Sequence, residues 1–322
     1  MRTLITGGAG FIGSHLAEAL LARGEHVVVL DDLSTGSLSN LETLLGRSGF
    51  EHHVGSACDS QVVAELVDVC DRTVHLAAAV GVKLIVERPV HTITTNVEAA
   101  HVVLEASARD KKPVLLASTS EVYGKSEKVP FKEDDDLRLG ATSRSRWAYA
   151  CSKALDEWLG LAYLREKGVP VTIARFFNVV GPRQTGRYGM VLPNFARQAL
   201  AGDPITVYGS GEQARCFGHV ADAVEAIIRL MASADAVGQV VNVGTDEEVT
   251  VHELAKRVRR LAGSESEIVF VPYEEAYAEG FEDMLRRIPD LTRLERLTGF
   301  RPQTQLDVTI EQVLESVRNN HR

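Results

Sequence analysis

Three glycines, spaced three residues apart, follow the first apolar segment of the chain and restrict how it can fold. The segment Arg2–Ile5 reads as a β-strand, and Gly7, Gly10 and Gly13 come directly after it. Glycine is needed where a strand turns sharply into a helix, where backbone approaches a ligand and where helix packs on strand. The helix predicted at 11–23 points its positive N-terminal end at a diphosphate. The run predicts a phosphate cradle made of backbone, although an ordinary strand–turn–helix would look similar.

The second predicted strand, at 26–31, ends in two acidic residues about twenty residues after the glycines, as in dinucleotide-binding folds. A carboxylate at this place accepts hydrogen bonds from the adenosine ribose and repels a 2′-phosphate. Asp31 follows the apolar run directly and is a better candidate than Asp32. The pair therefore favours NAD over NADP, and a solvated carboxylate at a strand end is the alternative interpretation.

The composition suits one large α/β unit with a smaller lobe, and it excludes several kinds of partner. With 322 residues, 45% of them hydrophobic and 25% charged, the chain can bury a sizeable core. The formal net charge of −9 argues against a nucleic-acid surface and against attraction to anionic membranes. Any anionic ligand must therefore be held by local groups.

Cysteine usage predicts a reducing, cytoplasmic location. Cys58, Cys70, Cys151 and Cys216 are scattered without Cys-x-x-Cys spacing, so we expect neither a disulfide framework nor a metal site. No apolar run approaches the roughly 18 residues that a membrane helix needs. The chain opens directly into the first strand, so we expect no targeting segment.

Short β-branched runs alternate with helical segments, which predicts an α/β fold with a doubly wound parallel sheet of the Rossmann type. We expect an NAD-binding domain over 1–180, with returning segments from about 205–250, and a smaller C-terminal substrate-binding lobe over 181–322. The acidic run 133–136 reads as a solvated surface. The predicted strands are 2–6, 26–31, 72–76, 113–118 and 171–176, and the predicted helices are 11–23, 60–68, 92–110, 149–167, 250–262 and 307–319.

Tyr149 and Lys153 carry the first chemical signal. Their spacing of four residues places a phenol and an ammonium one turn apart on the same face of a helix. A phenol with a pKa near 10 is a poor base at neutral pH, and a nearby Lys⁺ together with a nicotinamide cation would lower that pKa. Tyr149 could then remove a proton from a sugar hydroxyl. The same spacing also occurs in helices without such a role.

A second polar group of residues follows the fourth apolar strand. Ser118, Thr119, Ser120 and Glu121 come directly after Val114–Ala117, at the end of the sheet where open α/β folds bind ligands. Their hydroxyls can hold a substrate alcohol and pass its proton to the phenolate, and Glu121 adds an acid or base. A polar strand end with a satisfied hydroxyl network is the alternative.

Taken together, the motifs resemble the extended short-chain dehydrogenase/reductases of the nucleotide-sugar epimerase and dehydratase type. The resemblance covers nearly the whole chain, and it implies a tightly held NAD and transient oxidation at C4 of a nucleoside-diphosphate sugar. Its motifs are Gly-x-x-Gly-x-x-Gly at 7–13, His75–Ala78, Ser118–Gly124, Tyr149-x-x-x-Lys153, Asn178 before Gly181-Pro182-Arg183, and Tyr208–Gly211 leading to Arg215.

The resemblance also implies individual roles. Tyr149 would be the base, Lys153 would bind the nicotinamide ribose, and Thr119 or Ser120 would relay the proton beside Glu121. The cofactor-binding set is Gly7, Gly10, Phe11, Ile12, Gly13, Asp31, Asp32, Ser34, Thr35, Gly36, Asp59, Leu76, Ala77, Ala78, Lys83, Asn96, Tyr149 and Lys153. The substrate-binding set is Lys83, Ser118, Thr119, Ser120, Asn178, Arg183, Arg187, Val191, Leu192, Tyr208, Arg215, Arg286 and Arg287.

Small sequence differences within this family determine which reaction is catalysed. Sugar 4,6-dehydratases carry an Asp-Glu pair where this chain has Ser120-Glu121, which disfavours dehydration. The Ser-Glu pair, the run Arg146-Trp147-x-Tyr149 and Gln213–Phe217 resemble UDP-glucuronate decarboxylases.

Two other segments resemble epimerases. They are 75–85 and Gly181-Pro182-Arg183-Gln184, although uronate 4-epimerases often carry a second Arg where this chain has Thr185. We therefore expect an NAD-dependent isomerase, a UDP-sugar 4-epimerase that converts UDP-glucuronate to UDP-galacturonate. The alternatives are a UDP-glucuronate decarboxylase that forms UDP-xylose, and then a UDP-glucose 4-epimerase.

Two further expectations concern activity and assembly. A non-catalytic NAD-binding protein is the hypothesis from another class, and the intact Tyr149/Lys153 pair argues against it. The helices at 92–110 and 149–167 have apolar faces, and equivalent helices of the resembling family pair across a two-fold axis. We therefore expect a homodimer, although the same stripes would suit an internal core.

Overall fold

The computed structural model describes residues 1–81, 87–186, 190–272 and 284–320. Its helices are α1 (Phe11–Ala22), α2 (Ser60–Asp68), α3 (Pro89–Ala108), α4 (Arg146–Lys167), α5 (Val191–Ala201), α6 (Val220–Ala232), α7 (Val251–Ala262), α8 (Thr292–Thr298) and α9 (Leu306–Asn320), with short 3₁₀ helices at Leu38–Leu44, Ser120–Tyr123 and Ala234–Ala236. Its strands are β1 (Arg2–Thr6), β2 (His26–Asp31), β3 (Phe50–Val54), β4 (Arg72–His75), β5 (Val114–Thr119), β6 (Val171–Phe176), β7 (Val179–Val180), β8 (Ile205–Tyr208), β9 (Ala214–Cys216), β10 (Gly218–His219), β11 (Val240–Val243), β12 (Glu248–Thr250), β13 (Ile268–Val271) and β14 (Arg286–Arg287).

A seven-stranded sheet in the order β11-β6-β5-β4-β1-β2-β3 forms the centre, and each neighbouring pair in it is parallel. Helices cover both faces, because apolar side chains alternate between the faces along each strand. In β2, Val27 and Val29 pack in the core beside α1 and α6, whereas Val28 and Leu30 pack in the core beside α2, α3 and α4. The carboxyl ends of β1, β2, β4 and β5 therefore meet at one edge.

Later segments build smaller sheets next to the main one. β7 pairs with β10, β8 pairs with β13, and β9 lies between β12 and β14. Helices α5, α7 and α9 share a separate core, in which Leu192, Leu254 and Ile310 are completely buried. Strand β14 brings Arg287 into register with Arg215 of β9. The domain boundary near residue 180 stays a prediction, and β11 from the later part of the chain lies in the main sheet.

The predicted parallel α/β fold is confirmed, but both edge strands of the main sheet are missing from the prediction. β3 is largely exposed and lacks an apolar alternation, and β11 is only four residues long. Helices α3 and α4 begin three residues earlier than expected, at Pro89 and Arg146, and the other predicted boundaries agree within two residues. Proline suits a first helical turn because the missing N–H would have no partner there. The sequence analysis does not predict α5, α6 or α8.

The acidic run 133–136 is only partly a solvated surface, so that prediction is wrong for Glu133. This residue is 8% exposed, and its Oε1 accepts a hydrogen bond from the backbone nitrogen of Asn242 at 2.9 Å. Arg293 lies 3.7 Å from its other oxygen. The sequence could not show this because the contact depends on β11, which lies more than a hundred residues downstream.

The four cysteines are free thiols, and Cys70 and Cys216 are buried. Across the described ranges, no helix combines the length and the apolar character needed to cross a membrane. The cytoplasmic location stays a prediction.

Candidate active site

The turn between β1 and α1 is packed so closely that side chains cannot replace Gly7 or Gly13. Gly7 has a φ of +71°, and a Cβ on it would lie 2.7 Å from the backbone nitrogen of Ala77. A Cβ on Gly13 would lie 2.3 Å from the carbonyl oxygen of Gly7. Helix α1 starts after Gly10 without a side-chain cap, and Phe11 and Ile12 form its first turn. Uncapped amides at a helix N-terminus, approached by bare backbone, suit the diphosphate of a dinucleotide.

Asp31 contacts this cradle through the backbone of Ala9, whereas Asp32 is exposed. The Asp31 carboxylate accepts hydrogen bonds from the backbone nitrogens of Ala9 at 2.9 Å and Leu33 at 2.8 Å. Burial raises the pKa of this carboxyl group, while those two bonds act in the opposite direction. Asp32 is exposed and accepts a bond from the backbone nitrogen of Ser34 at 2.9 Å. The neighbouring Thr35 is exposed, and a Cβ on Gly36 would meet Asp31 Oδ1 at 2.8 Å.

The end of β4 forms the other wall of the cradle. The backbone nitrogen of Leu76 donates to the carbonyl of Thr6 at 3.0 Å, and Ala77 and Ala78 follow it. Asn96 is buried and connects this segment to α4, because it accepts from the nitrogen of Ala79 at 2.7 Å and donates to Ser152 Oγ at 3.2 Å.

Two other residues of the predicted cofactor-binding set are Asp59 and Lys83. The carboxylate of Asp59 caps α2, since it accepts from the backbone nitrogens of Gln61 and Val62. Lys83 lies outside the described residues.

Tyr149 and Lys153 lie on one face of α4 and are both buried. The Tyr149 hydroxyl shares a hydrogen bond with the side chain of Thr119, at the end of β5. The structure therefore brings the predicted base and the predicted hydroxyl relay together. Lys153 Nζ donates to Asp156 Oδ2 at 2.7 Å.

The expected lowering of the Tyr149 pKa by Lys153 is not seen. Burial raises this pKa, and the carboxylates of Glu121 and Asp156 raise it further. The bond with Thr119 and the charge of Arg146 act in the opposite direction without outweighing burial. The expectation considered the Lys153 cation without the burial of the phenol and without the Asp156 anion beside that cation.

The hydroxyls after β5 face different partners. Thr119 Oγ1 also accepts a hydrogen bond from the backbone nitrogen of Glu121 at 3.2 Å, which starts the 3₁₀ helix there. Ser120 Oγ is buried and has no hydrogen-bond partner among the described residues. Ser118 Oγ instead donates to Glu157, which also binds Arg175 through two bonds of 2.8 and 2.7 Å. Ser118 thus belongs to a buried ion-pair network behind the site.

Glu121 is surrounded by three buried arginines, and we call these four residues the arginine–glutamate cluster. Arg146 binds the carboxylate with both terminal nitrogens, one of them 2.9 Å from Oε1. Arg287 approaches the same oxygen at 3.4 Å, and the charge of Arg215 also acts on it. Burial on its own would raise the pKa of Glu121, but the arginines outweigh burial and lower this pKa to about 2. The carboxylate is therefore ionised at any pH at which the protein would work.

Arg286 and Arg287 are neighbours in sequence but have opposite environments. Arg287 is 6% exposed and faces Glu121, whereas Arg286 is exposed and binds Glu248 through two bonds of 2.8 Å. The structure therefore brings only Arg287 to the cluster.

The remaining predicted substrate residues lie around the lobe. Arg183 donates to Glu18 of α1 at 2.7 Å, and its φ is +68°. Asn178 Nδ2 donates to the carbonyl of Cys216 at 3.2 Å. Val191 and Leu192 begin α5, Tyr208 ends β8 and is exposed, and Arg187 lies outside the described residues.

The sequence prediction of the site omitted Arg146, Asp156 and Glu157. Arg146 lies one turn before Tyr149, and Asp156 lies one turn after Lys153. This helical spacing is a usable signal, because side chains three or four residues apart share a face. Glu157 lies four residues after Lys153 and has the same helical spacing, but its partners Ser118 and Arg175 lie on β5 and β6, so spacing alone could not reveal its role.

Comparisons with known proteins agree with this geometry. Residues 4–313 match the model of the GDP-mannose 4,6 dehydratase family. A UDP-N-acetyl-alpha-D-glucosaminuronate decarboxylase from Bacillus cytotoxicus is 44% identical over 318 residues, which are 98% of each chain. UDP-glucuronic acid decarboxylase 1 from Xenopus tropicalis is 36% identical over 317 residues, which are 98% of this chain and 72% of the relative.

Among solved structures, a UDP-glucuronic acid 4-epimerase from Bacillus cereus, in complex with UDP-glucuronic acid and NAD, matches with a TM-score of 0.90. The two chains are 25% identical, and the match covers 99% of this chain and 100% of the other. The family resemblance inferred from the motifs and the predicted cofactor, NAD, are both confirmed. The chain belongs to the NAD-dependent nucleotide-sugar epimerases and dehydratases, within the extended short-chain dehydrogenase/reductases.

Proposed function

We propose that this enzyme is an NAD-dependent decarboxylase of UDP-hexuronates. The observation that carries the proposal is the arginine–glutamate cluster, in which three buried arginines share one carboxylate close to Tyr149. Guanidinium groups bind carboxylates with two parallel hydrogen bonds, so three arginines close to the catalytic base suit a uronate group. The 44% identity to a uronate decarboxylase supports the same reaction. The 4-epimerase expected from the sequence becomes the second candidate.

The first step is oxidation at C4 of the sugar. Tyr149, with Thr119 as its hydrogen-bonded relay, removes the proton from the O4 hydroxyl. NAD⁺ supplies the redox chemistry, since it accepts the C4 hydride and returns it within one turnover. We assign the cradle of Gly7, Gly10 and Gly13 to its diphosphate and Asp31 to its adenosine ribose.

The second step is loss of the carboxylate. A 4-keto uronate is a β-keto acid, so the C5–C6 bond can break with its electron pair moving into the C4 carbonyl. Carbon dioxide leaves, and the enolate oxygen is held by the Tyr149 and Thr119 hydroxyls. Burial raises the pKa of Tyr149, which favours its protonated form as a hydrogen-bond donor to that oxygen. A proton from solvent then adds to C5 in place of the lost carboxylate, and we assign its relay to the buried hydroxyl of Ser120, which passes one proton on and takes another up.

Glu121 acts on this step through its charge. Because its pKa is lowered to about 2, it stays ionised and keeps the Arg146 guanidinium in place. Decarboxylation moves the negative charge of the carboxylate onto the enolate oxygen, and protonation at C5 then removes that charge from the surroundings of Glu121, which relieves repulsion. We assign Arg287 and Arg215 to the carboxylate and diphosphate of the substrate.

The 4-epimerase is retained because of one observation, the close structural match to a UDP-glucuronic acid 4-epimerase. Both reactions share the oxidation at C4. In the decarboxylase the keto sugar loses its carboxylate. In the epimerase the keto sugar rotates within the site and receives the hydride on its other face.

The test is incubation of purified protein with UDP-glucuronate, UDP-N-acetylglucosaminuronate and UDP-glucose in separate reactions. Products are resolved by chromatography, and carbon dioxide is trapped from substrate labelled at C6. A UDP-pentose or its N-acetyl counterpart, with equimolar carbon dioxide, is the expected result. UDP-galacturonate without carbon dioxide would establish the epimerase instead, and UDP-galactose would point to a neutral sugar.

We also propose that two copies of the chain associate through α3 and α4. The outer faces of these helices expose large apolar side chains: Val90 is 74% exposed, Ile93 43%, Leu155 44% and Trp158 61%. Apolar side chains so exposed on adjacent helices indicate a surface that is buried by a partner. An isologous pair of these helices would form a four-helix bundle.

A further inference from the structure

One carboxylate on the catalytic face of α4 has no role in the steps above. Asp156 is 1% exposed, and its Oδ2 lies 2.7 Å from Lys153 Nζ. Its other oxygen, Oδ1, is buried without a hydrogen-bond partner in the part of the chain that the structure describes. The positions of Tyr149, Lys153 and Asp156 are i, i+4 and i+7, so the three side chains follow one another along the same face.

We propose that Asp156 is a positioning residue that fixes the ammonium of Lys153 and offsets its positive charge toward Tyr149. An ammonium group has three donors, and Asp156 occupies one of them in a fixed direction. A free lysine side chain has many rotamers, whereas this one is held within a buried ion pair. The ion pair with Asp156 therefore also fixes the directions in which the other two N–H donors of Lys153 point. This inference rests on the proposed C4 oxidation, in which Tyr149 is the base.

The other charged groups around this face already have partners. Glu157, next to Asp156, binds Arg175, and Glu121 binds Arg146. Arg175 lies on β6, and Glu121 lies in the 3₁₀ helix after β5. Because Glu157 and Glu121 are both paired with arginines, neither carboxylate is available to Lys153.

His75, at the end of β4, is a further titratable group near Lys153 among the described residues. Its pKa is lowered to about 3, mainly by burial and further by Lys153, so it is neutral at working pH. Asp156 is therefore the anion that compensates Lys153.

The compensation has a direct consequence for the base. The charge of Asp156 raises the pKa of Tyr149, so removal of that charge lowers it. The acidic limb of the pH profile of kcat/KM reports this ionisation. Neutralising Asp156 should move the limb to lower pH by about one unit, the size expected for one buried charge that acts on Tyr149 without a hydrogen bond to it.

The variant D156N keeps the shape of the side chain and removes its charge. The matched control is E166Q, which removes an exposed carboxylate from the same helix. Each protein is assayed as NAD-loaded enzyme across pH with the UDP-sugar that the wild type converts. A second readout needs no turnover: in enzyme labelled with ¹⁵N-lysine, a protected ammonium signal from Lys153, assigned through its loss in K153R, should vanish in D156N.

The proposal is supported if the acidic limb of kcat/KM moves to lower pH and the Lys153 signal is lost in D156N, with neither change in E166Q. An unmoved limb overturns it, even if D156N melts earlier, because a purely structural ion pair would not act on Tyr149. If D156N is not recovered folded, the wild-type spectrum decides, and lack of a protected Lys153 signal overturns the proposal. Failure of the proposed function would differ, since no tested UDP-uronate would be converted by the wild type.

Discussion

Arg146 binds the carboxylate of Glu121 from the first turn of the helix that also carries Tyr149, with Nη2 2.9 Å from Oε1. This pair fastens the start of α4 to the 3₁₀ helix that follows β5. Because Tyr149 lies one turn farther along α4, the ion pair also fixes the distance between the base and the hydroxyls of Thr119 and Ser120. A contact that looks electrostatic therefore sets the geometry of the catalytic groups.

The first prediction concerns pH-dependent stability. The folded-state pKa of Glu121 is about 2, below its ordinary value of 4.5, so its ionised form stabilises the protein above pH 4.5. This contribution is lost as the pH falls from 4.5 toward 2, and it amounts to about 3 kcal/mol. We expect E121Q to lack this part of the pH dependence.

Urea unfolding of both proteins at pH 7 and at several values down to pH 3 measures the difference. The free energy of unfolding should fall more steeply with acid in the wild type than in E121Q. Parallel curves would mean that the arginines do not hold the carboxylate as the structure shows.

The second prediction uses the two neighbouring arginines of β14. Arg287 is buried against Glu121, whereas Arg286 binds Glu248 at the surface. We expect R287Q to lower kcat/KM by about a hundredfold, because a buried charge-assisted contact is lost. R286Q should change it by less than about threefold, since exposed ion pairs contribute little. Steady-state kinetics on both variants tests this, and equal losses would contradict the separation of the two side chains.

The third prediction concerns the cradle. Alanine normally stabilises a helix by about 1 kcal/mol relative to glycine. At Gly13 the effect should reverse, because the new Cβ would lie 2.3 Å from the Gly7 carbonyl oxygen. We expect G13A to lose bound NAD and to melt at a lower temperature. The control is G55A, where the nearest atom is a flexible Leu30 methyl at 3.3 Å, and retention of NAD by G13A would show that the turn can relax.

The fourth prediction separates binding from chemistry at Tyr149. Y149F removes the hydroxyl that meets Thr119 and should lower kcat by about 10²–10⁴-fold, the range for a positioned acid–base group. The content of bound NAD, measured after heat release, should stay unchanged. Turnover at the wild-type rate would mean that Tyr149 is not the base.

The fifth prediction concerns assembly. Trp158 is 61% exposed on α4, and a charge there should oppose burial against a second copy. We expect W158E to shift the molar mass from dimer to monomer in light scattering after gel filtration. V237E, which alters an exposed apolar residue outside both helices, should leave the mass unchanged. A monomeric wild type would exclude the proposed bundle.

Local sequence patterns were sufficient for part of the site. The glycine cradle and the pair of Tyr149 and Lys153 depend on spacing within one turn or one helix, and Asp31 depends on its place at the end of the next strand, about twenty residues after the glycines. The parallel sheet was predictable for the same reason, since its inner strands are short apolar runs. The positions of these residues and strands in the structure agree with the sequence patterns because each pattern lies within one element or two neighbouring elements.

Features that depend on distant parts of the chain were not predictable. Arg287 meets Glu121 across 166 residues, and only the pairing of β14 with β9 brings it there. The pKa of Tyr149 could not be inferred from Lys153 alone, because burial raises it most and the carboxylates of Glu121 and Asp156 raise it further. Edge strand β3 was missed because solvent on its outer side removes the apolar signal.

The arginine–glutamate cluster also determines how a substrate enters. Three guanidinium groups and one carboxylate give the four residues of the cluster a formal charge of +2, in a chain whose formal net charge is −9. A nucleotide uronate, itself strongly anionic, is thus repelled by the molecule as a whole and attracted only at short range. Added salt screens the long-range repulsion over a Debye length of about 8 Å at physiological ionic strength. Diffusional capture should therefore become faster as salt rises, the opposite of an electrostatically steered enzyme.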